Sequence, residues 1–466
     1  MTMFGRVKHV HLVGIGGAGM SGIAEVLANL QFVVSGSDLK RSDTTERLAA
    51  MGVTVRYEHA AENIEGADVV VYSSAVSLTN PEVFAAHSQM VPVIPRVEML
   101  AELMRMKFSV AVGGTHGKTT TTSLISAVLS AGGLDPTVVV GGKLKTMGSG
   151  ARLGASEYMV AEADESDGSF LKLSPTISVI TTIDEEHLDF YSGLPEIKDA
   201  FKNFANSVPF YGCSIVCLDQ QNVQAILPDV KRRVISYGLD VRADVRAADV
   251  EATSETTRFA VEAGGRELGA MEIAMPGLHN VYNSLAAVAT GLELGVPFGD
   301  MARALREFEG ISRRFEIKGE VNNVLVLDDY GHHPAEIKTT LAAASSRWDR
   351  RLVVLFQPHR YTRTQKLGDQ FGQSFHDADV LLVTSIYPAS EEPIEGVTGE
   401  TVVEAARRHG HGRCEYAEGL EAIRERALEI IEPGDVVITL GAGDIYKVGE
   451  SILERLTAEC SSRRTL

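Results

Sequence analysis

Three stretches of this chain bring together residue types that could do phosphate chemistry. In GGTHGKTTTT, Gly113–Thr122, a lysine and a threonine follow a glycine directly, between the apolar strand-like FSVAV and a helix-forming run that begins near Thr119. Glycine-loop amides and the open N–H groups of a helix start cradle phosphate; a lysine neutralises it, and the next hydroxyl can hold Mg²⁺. The strict G-x(4)-G-K-[ST] spacing is missed, because Val112 stands five positions before Gly117. The loop reads as a variant of the phosphate loop, against the alternative of a glycine turn with Lys118 in solvent.

Downstream, Glu162 and Asp164 close the apolar strand YMVA, where a carboxylate could reach a magnesium ion held by phosphates. His187 follows the strand ISVITTID and two glutamates, and a neutral imidazole there could bind metal or a substrate carboxylate. Near the start, GIGGAGMSG carries G-x-G-x-x-G as Gly14, Gly16 and Gly19, with Asp38 at the end of the next strand. Taken alone that pattern says dinucleotide binding, and a nucleoside diphosphate on the same helix N-terminus fits it equally well. DDYGHHP is too dense in polar groups for a plain strand end, and its expected work, through Asp328, Asp329, His332 and His333, is at the reacting centre. Arg360 and Arg363 in HRYTRT present guanidinium forks suited to carboxylate or phosphate.

These residues need strands and helices to place them. From Val7 to about Val97, short β-branched runs alternate with helical stretches, a βαβ series building a parallel sheet with ligand sites beyond the strand C-termini. A second α/β block follows, and its polar alternating segment between about Asp240 and Met275 predicts an antiparallel extension. A third block repeats strand, loop and helix. The expectation is an α/β protein of three domains: a Rossmann-like domain at 1–106, a central P-loop ATPase-type domain at 107–310, and a C-terminal Rossmann-like α/β domain at 311–466.

Along the whole chain, GTHGKTTT, AEADESDGSF, TTIDEEHLDFY, PGLHNVYNSLAA, ISRRFE, DDYGHHPAEI and FQPHRYTRT resemble, in order, segments of the Mur ligases. The resemblance implies an ATP-dependent ligase, forming ADP and phosphate, that joins L-alanine to the lactyl carboxylate of UDP-N-acetylmuramate through an acyl phosphate in peptidoglycan precursor synthesis. It implies ATP and Mg²⁺ as cofactors. ATP would lie on Gly114, Thr115, His116, Gly117, Lys118, Thr119 and Thr120, with Asn280, Arg314 and Asp329. Metal would be held at Thr119, Glu162 and His187, and catalysis carried by Lys118, Glu162, His187 and His332. The UDP-sugar would use Gly16, Gly17, Ala18, Gly19, Met20, Ser21, Ser37, Asp38, Ser73, Ser74 and Ala75, and His333, Arg360 and Arg363 would hold substrate. In ISRRFE the two arginines cannot point the same way on an extended segment, so one is expected to face a phosphate and the other solvent or a domain interface; Arg314 is the choice for the nucleotide, with Arg313 next. Rival readings are a tripeptide ligase acting on the same UDP-sugar and an NAD-dependent oxidoreductase, which leaves the Lys118 loop unexplained.

Composition narrows the field. A formal charge of −18 over 466 residues argues against a general nucleic-acid binder. The opening MTMFGRVKHVHLVGIGG has too short an apolar run for a signal peptide or membrane span, so the expected compartment is the cytoplasm. Cys213, Cys217, Cys414 and Cys460 form no zinc pattern and are expected as free thiols.

Overall fold

The computed structural model describes residues 5–73, 76–140, 151–187, 190–253, 256–275, 277–389 and 391–463. Its backbone forms three sheets. The first holds β1 (His9–Val13), β2 (Val33–Ser37), β3 (Thr54–Arg56), β4 (Val69–Tyr72) and β5 (Val93–Pro95), all parallel in the order β3-β2-β1-β4-β5. The order reverses at β1, and its C-terminal end, where the loop Gly14–Gly17 leaves the strand, is the ordinary place for a ligand crevice.

The second sheet contains β6 (Phe108–Gly113), β7 (Thr137–Val139), β8 (Ala151–Arg152), β9 (Tyr158–Glu162), β10 (Ile177–Ile180), β11 (Cys213–Cys217), β12 (Val234–Gly238), β13 (Val245–Ala252), β14 (Thr257–Ala263) and β15 (Arg266–Ile273). Its order is β15-β14-β13-β12-β11-β10-β6-β9-β7-β8, parallel from β13 through β7, with an antiparallel β13-β14-β15 at one edge and an antiparallel β7-β8 pair at the other. The central strands β6, β9, β10 and β11 are continuous apolar runs because helices cover both faces, whereas β13 alternates buried and exposed at its start, as a one-sided antiparallel strand should.

The third sheet comprises β16 (Glu316–Val321), β17 (Val324–Asp329), β18 (Leu352–Phe356), β19 (Val380–Val383), β20 (Cys414–Tyr416) and β21 (Val436–Leu440), in the order β16-β17-β21-β18-β19-β20. Only β16, at the edge, is antiparallel to its neighbour.

The chain divides into two compact units, one covering 1–252 and 256–309 and another running from Gly310 to the C-terminus. Within the first unit, a single apolar core joins both sheets. The helix Arg96–Arg105 makes that joint, burying Val97, Leu100 and Met104 in the same cluster as Val10 and Leu27 on one side and Ala111, Phe170 and Phe201 on the other. All four cysteines are free thiols. Among the described residues, no helix is long and apolar enough to cross a membrane.

Candidate active site

Strand β6 ends at Gly113, and the helix Lys118–Ala131 starts after a loop whose glycines are forced by space and backbone angle. Gly114 has φ +136°, and a Cβ there would stand 2.0 Å from Thr181 Oγ1. Gly117 has φ +79° at the helix N-cap, and its Cβ would meet Asn283 Oδ1 at 2.6 Å. A second layer of bonds fixes the loop. Thr115 N donates to Thr182 O at 2.9 Å, His116 N to Thr182 Oγ1 at 2.9 Å, and Asp184 N to Thr115 Oγ1 at 2.8 Å. The β10 end thus carries the phosphate loop as well as leading to His187.

Lys118 Nζ donates to Gly114 O at 2.7 Å, Thr115 O at 3.2 Å and Glu165 Oε1 at 2.8 Å. Burial works against its charge, but Glu165, Asp164 and Glu162 outweigh burial and hold the ammonium above its ordinary pKa. Thr119 Oγ1 donates to Glu162 Oε2 at 3.0 Å, bringing together two of the three expected metal residues. His187, at φ +55°, places Nε2 3.5 Å from Glu165 Oε1 and 3.8 Å from Glu186 Oε2. Burial lowers its pKa, Glu165 raises it, and the net direction is up.

Glu165, in the segment AEADESDGSF, is not singled out by the sequence, yet the structure gives it a central place. It is 2% exposed, and its Oε2 is buried without a hydrogen-bond partner among the described residues. Such a buried, unpartnered carboxylate oxygen beside Lys118 fits a site that receives a cation. Among the described residues, no three His, Cys, Asp or Glu side chains converge to hold a metal by themselves. A hard cation here would take only part of its shell from Thr119, Glu162 and His187, as magnesium does when phosphates supply the rest. Asn280 sits in the first turn of the helix Leu278–Glu293 and accepts from Asn283 Nδ2 at 3.3 Å; Asn283 in turn accepts from Thr121 Oγ1 at 3.1 Å. The expected nucleotide residue therefore stands one turn from the phosphate loop.

At the first glycine loop, Gly14 N and Ile15 N donate to Ser37 O at 2.8 and 2.9 Å, and Gly16 N to Asp38 Oδ2 at 2.9 Å. A Cβ on Gly19 would meet Arg96 Nη1 at 2.8 Å, so a guanidinium that no motif pointed to lies over the helix start. Arg96, Tyr72, Asp167, Lys172 and Phe190 line a cavity of 660 Å³ between the first and second sheets. Three of the expected contact residues face inward. Met20 is 1% exposed and Ser21 5%, because the first helix turn directs both inward, and the Ser21 amide already donates to Gly17 O at 2.9 Å. Ser37 is fully buried, its hydroxyl donating to Glu82 Oε2 at 2.6 Å. Ser73 follows β4, while Ser74 and Ala75 lie outside the described residues.

In the second unit, Arg313 and Arg314 stand in a turn, not on the extended segment expected, with Arg313 at φ +63° and both guanidinium groups against the Tyr330 ring. Arg313 Nε donates to Asp328 Oδ2 at 3.1 Å and its Nη2 to Gly441 O, tying it inward. Arg314 lies over the Tyr330 ring at 5.2 Å with Glu336 3.6 Å away. Asp329, expected at nucleotide, accepts Phe315 N at 2.7 Å, Gly331 N at 2.8 Å and Thr340 Oγ1 at 3.1 Å, so its carboxylate shapes the loops on either side of it. Burial raises its pKa, with Arg314 opposing. His333 caps the helix Pro334–Arg347 in a box with Glu336. His332 and His359 lie ring to ring at 5.4 Å, and His359 stacks on Tyr387 at 5.5 Å. Arg363 Nη1 is 3.5 Å from His359 Nδ1, and Arg360 is held at φ +73° beside them. His359 was not singled out in the sequence, although it heads the same HRYTRT segment.

Two glycine loops, each leading from a strand end into a helix on its own sheet, one with a lysine and a threonine–glutamate pair, give the framework of a nucleotide-using α/β enzyme. The descriptions that match the chain are "Mur ligase family, catalytic domain" over 9–108, "Mur ligase middle domain" over 112–291 and "Mur ligase, glutamate ligase domain" over 313–443. The chain is 54% identical over 457 residues to the UDP-N-acetylmuramate–L-alanine ligase of Geotalea uraniireducens, covering 98% of this chain and 100% of that one. Among solved structures it is similar to UDP-N-acetylmuramate-alanine ligase from Thermotoga maritima, with a TM-score of 0.82, 28% identity and coverage of 97% and 99%. It is also similar to a murein peptide ligase from Psychrobacter arcticus, with a TM-score of 0.75, 25% identity and coverage of 96% and 98%. The chain belongs to the Mur ligase family.

Proposed function

We propose that this chain joins L-alanine to the lactyl carboxylate of UDP-N-acetylmuramate in the cytoplasm, with ATP cleaved to ADP and phosphate. The observation that carries the choice of substrates is 54% identity over nearly the full length to an L-alanine ligase. Segments 1–106, 107–310 and 311–466 are assigned to the UDP-sugar, to ATP, and to closure over ATP and the amino acid.

A free carboxylate is a poor acyl donor, because its leaving group is oxide and its charge repels an amine. Attack of that carboxylate on the γ-phosphate breaks the bond to the β-phosphate, expels ADP and makes a mixed acyl phosphate, which the deprotonated amine opens through a tetrahedral intermediate, expelling phosphate. Lys118 serves the first step. Its ammonium rests against Glu165, and an incoming γ-phosphate offers it a stronger acceptor, so charge developing on the transferred group is met by a donor already in place. Thr119, Glu162 and His187 would hold magnesium, which neutralises phosphate oxygens when bound. Arg360 and Arg363, beside His332 and His359, suit the amino-acid carboxylate.

ADP and phosphate release, measured with UDP-N-acetylmuramate against a panel of amino acids and the tripeptide, tests the reading. Turnover that requires the UDP-sugar and prefers L-alanine is expected; preference for the tripeptide, or turnover without the UDP-sugar, overturns it.

A further inference from the structure

The chain enters the third sheet through a backbone that its residue types do not favour. Gly310, Arg313 and Phe315 all have positive φ, at +90°, +63° and +48°. Glycine takes such angles freely, whereas a bulky L residue crowds its Cβ against the backbone, so Phe315 stands where glycine would fit without strain. A conformation of that kind persists when its surroundings fix it. Phe315 N donates to Asp329 Oδ2 at 2.7 Å, Arg313 N to Glu316 Oε2 at 2.7 Å and Tyr330 N to Arg313 O at 2.7 Å. Those bonds hold the backbone and would serve any residue at 315. The phenyl ring adds a contact that glycine could not make. It lies flat on Trp348, with centroids 5.8 Å apart and planes 5° apart, and both rings pack on the core of this unit.

Trp348 caps the C-terminal end of the helix Pro334–Arg347, and the residue beside Phe315 reaches the other end. Arg314 Nη1 stands 3.6 Å from Glu336 Oε1 in the first turn of that helix, and its guanidinium lies 5.2 Å from the Tyr330 ring centroid. At a rise of about 1.5 Å per residue, Glu336 and Trp348 are about 18 Å apart along the axis. Neighbouring side chains of the turn thus grip the helix at both ends, while Ile337, Leu341 and Ala344 between them are buried in the core. Relaxing Phe315 to an extended φ would swing the peptide ahead of it, and Arg314 with it, away from Tyr330 and Glu336.

We infer that Phe315 and Trp348 are positioning residues for the nucleotide, their stack holding the left-handed turn that aims Arg314 at ATP. This rests on the assignment of Arg314 to nucleotide. Trp348→Leu keeps apolar volume without a flat face, and Trp348→Phe keeps the face. KM for ATP is expected to rise about tenfold in Trp348→Leu and to stay within twofold in Trp348→Phe. In both variants kcat and the KM values for UDP-N-acetylmuramate and L-alanine stay within twofold, because a misaimed Arg314 weakens nucleotide binding in ground and transition states alike. An unfolded fraction would lower kcat and leave KM alone, so an unchanged KM for ATP in Trp348→Leu overturns the inference. A second readout needs no variant. Trp348 is the one tryptophan in the chain, and its emission is expected to change when Mg-ADP saturates the wild-type protein and to hold steady when UDP does. Emission indifferent to Mg-ADP overturns the inference even where a variant fails to fold. Arg314→Ala separates the two layers. If it raises KM for ATP about tenfold or more and Trp348→Leu does not, the stack alone is wrong; if it leaves KM for ATP unchanged, the assignment of Arg314 fails and takes the inference with it.

Discussion

At the scale of single residues, the site is organised by charges that restrain one another. Lys118 is held by one carboxylate and two carbonyls, so its removal leaves Glu165 buried with only the His187 imidazole, 3.5 Å away, to meet its charge. Lys118→Ala is expected to lower turnover by about 10³-fold, the upper range for losing one preorganised donor to a transferring group, while UDP-sugar affinity measured by calorimetry stays within twofold. Turnover within tenfold of wild type removes Lys118 from phosphate transfer. His359 gives a pH signature. Burial, then Arg363 and Arg360, push its pKa down to about 4 from an ordinary 6.5. Between those values the unfolded chain takes up a proton that the folded one refuses, so stability is complete above pH 6.5 and declines as pH falls towards 4. Denaturant midpoints across that window are expected to fall in the wild type and to fall less in His359→Gln. His332 is lowered as well, by burial first, and leaves a residual slope. An equal slope in both proteins contradicts the assignment.

At the scale of elements, each loop is a strand end whose geometry leaves no room for side chains. Gly114→Ala puts a methyl 2.0 Å from Thr181 Oγ1 at φ +136°, where L residues are strained. The expected cost is about 2–4 kcal/mol of stability, the range for overpacking combined with backbone strain, read as a lower denaturant midpoint together with lost ATP turnover. A midpoint like that of wild type shows that the loop has slack. The strand–loop–helix units were legible in the sequence because each is local: β6 into Gly117-Lys118-Thr119, and β1 into Gly14–Gly19. The antiparallel edge at β13–β15 was legible from alternation, whereas ISRRFE, expected as an extended run, turns at Arg313 with φ +63°. What escaped depends on distant pairing. Asn283 shapes the loop from 162 positions beyond Thr121, and Glu165 meets Lys118 across 47. Spacing within EADESD gives no means of choosing which carboxylate turns inward. A motif names positions but not directions: helix phase turns Met20 and Ser21 inward, and the end of β2 does the same for Ser37.

At the scale of the molecule, the three-sheet architecture expected from alternating strand and helix signals is present, yet the first two sheets share one core through the helix Arg96–Arg105 and form a single compact unit. That union has a thermodynamic consequence. Ligands that bind only folded protein stabilise whichever cooperative unit holds their site, by about 2.7 kcal/mol at a hundred times Kd. If the nucleotide-sugar loop and the Lys118 loop belong to one unit, UDP and Mg-ADP must raise the same calorimetric transition, although their loops lie on different sheets. Scanning calorimetry of the full chain with each ligand alone, and with both, is expected to move one transition in every case. The part that begins at Gly310 is expected to melt as a second transition, which UDP alone leaves in place. Lys118→Ala should abolish the Mg-ADP shift and keep the UDP shift in the same peak. Separate peaks answering to UDP and to Mg-ADP would show that the buried Val97, Leu100 and Met104 do not couple the two sheets.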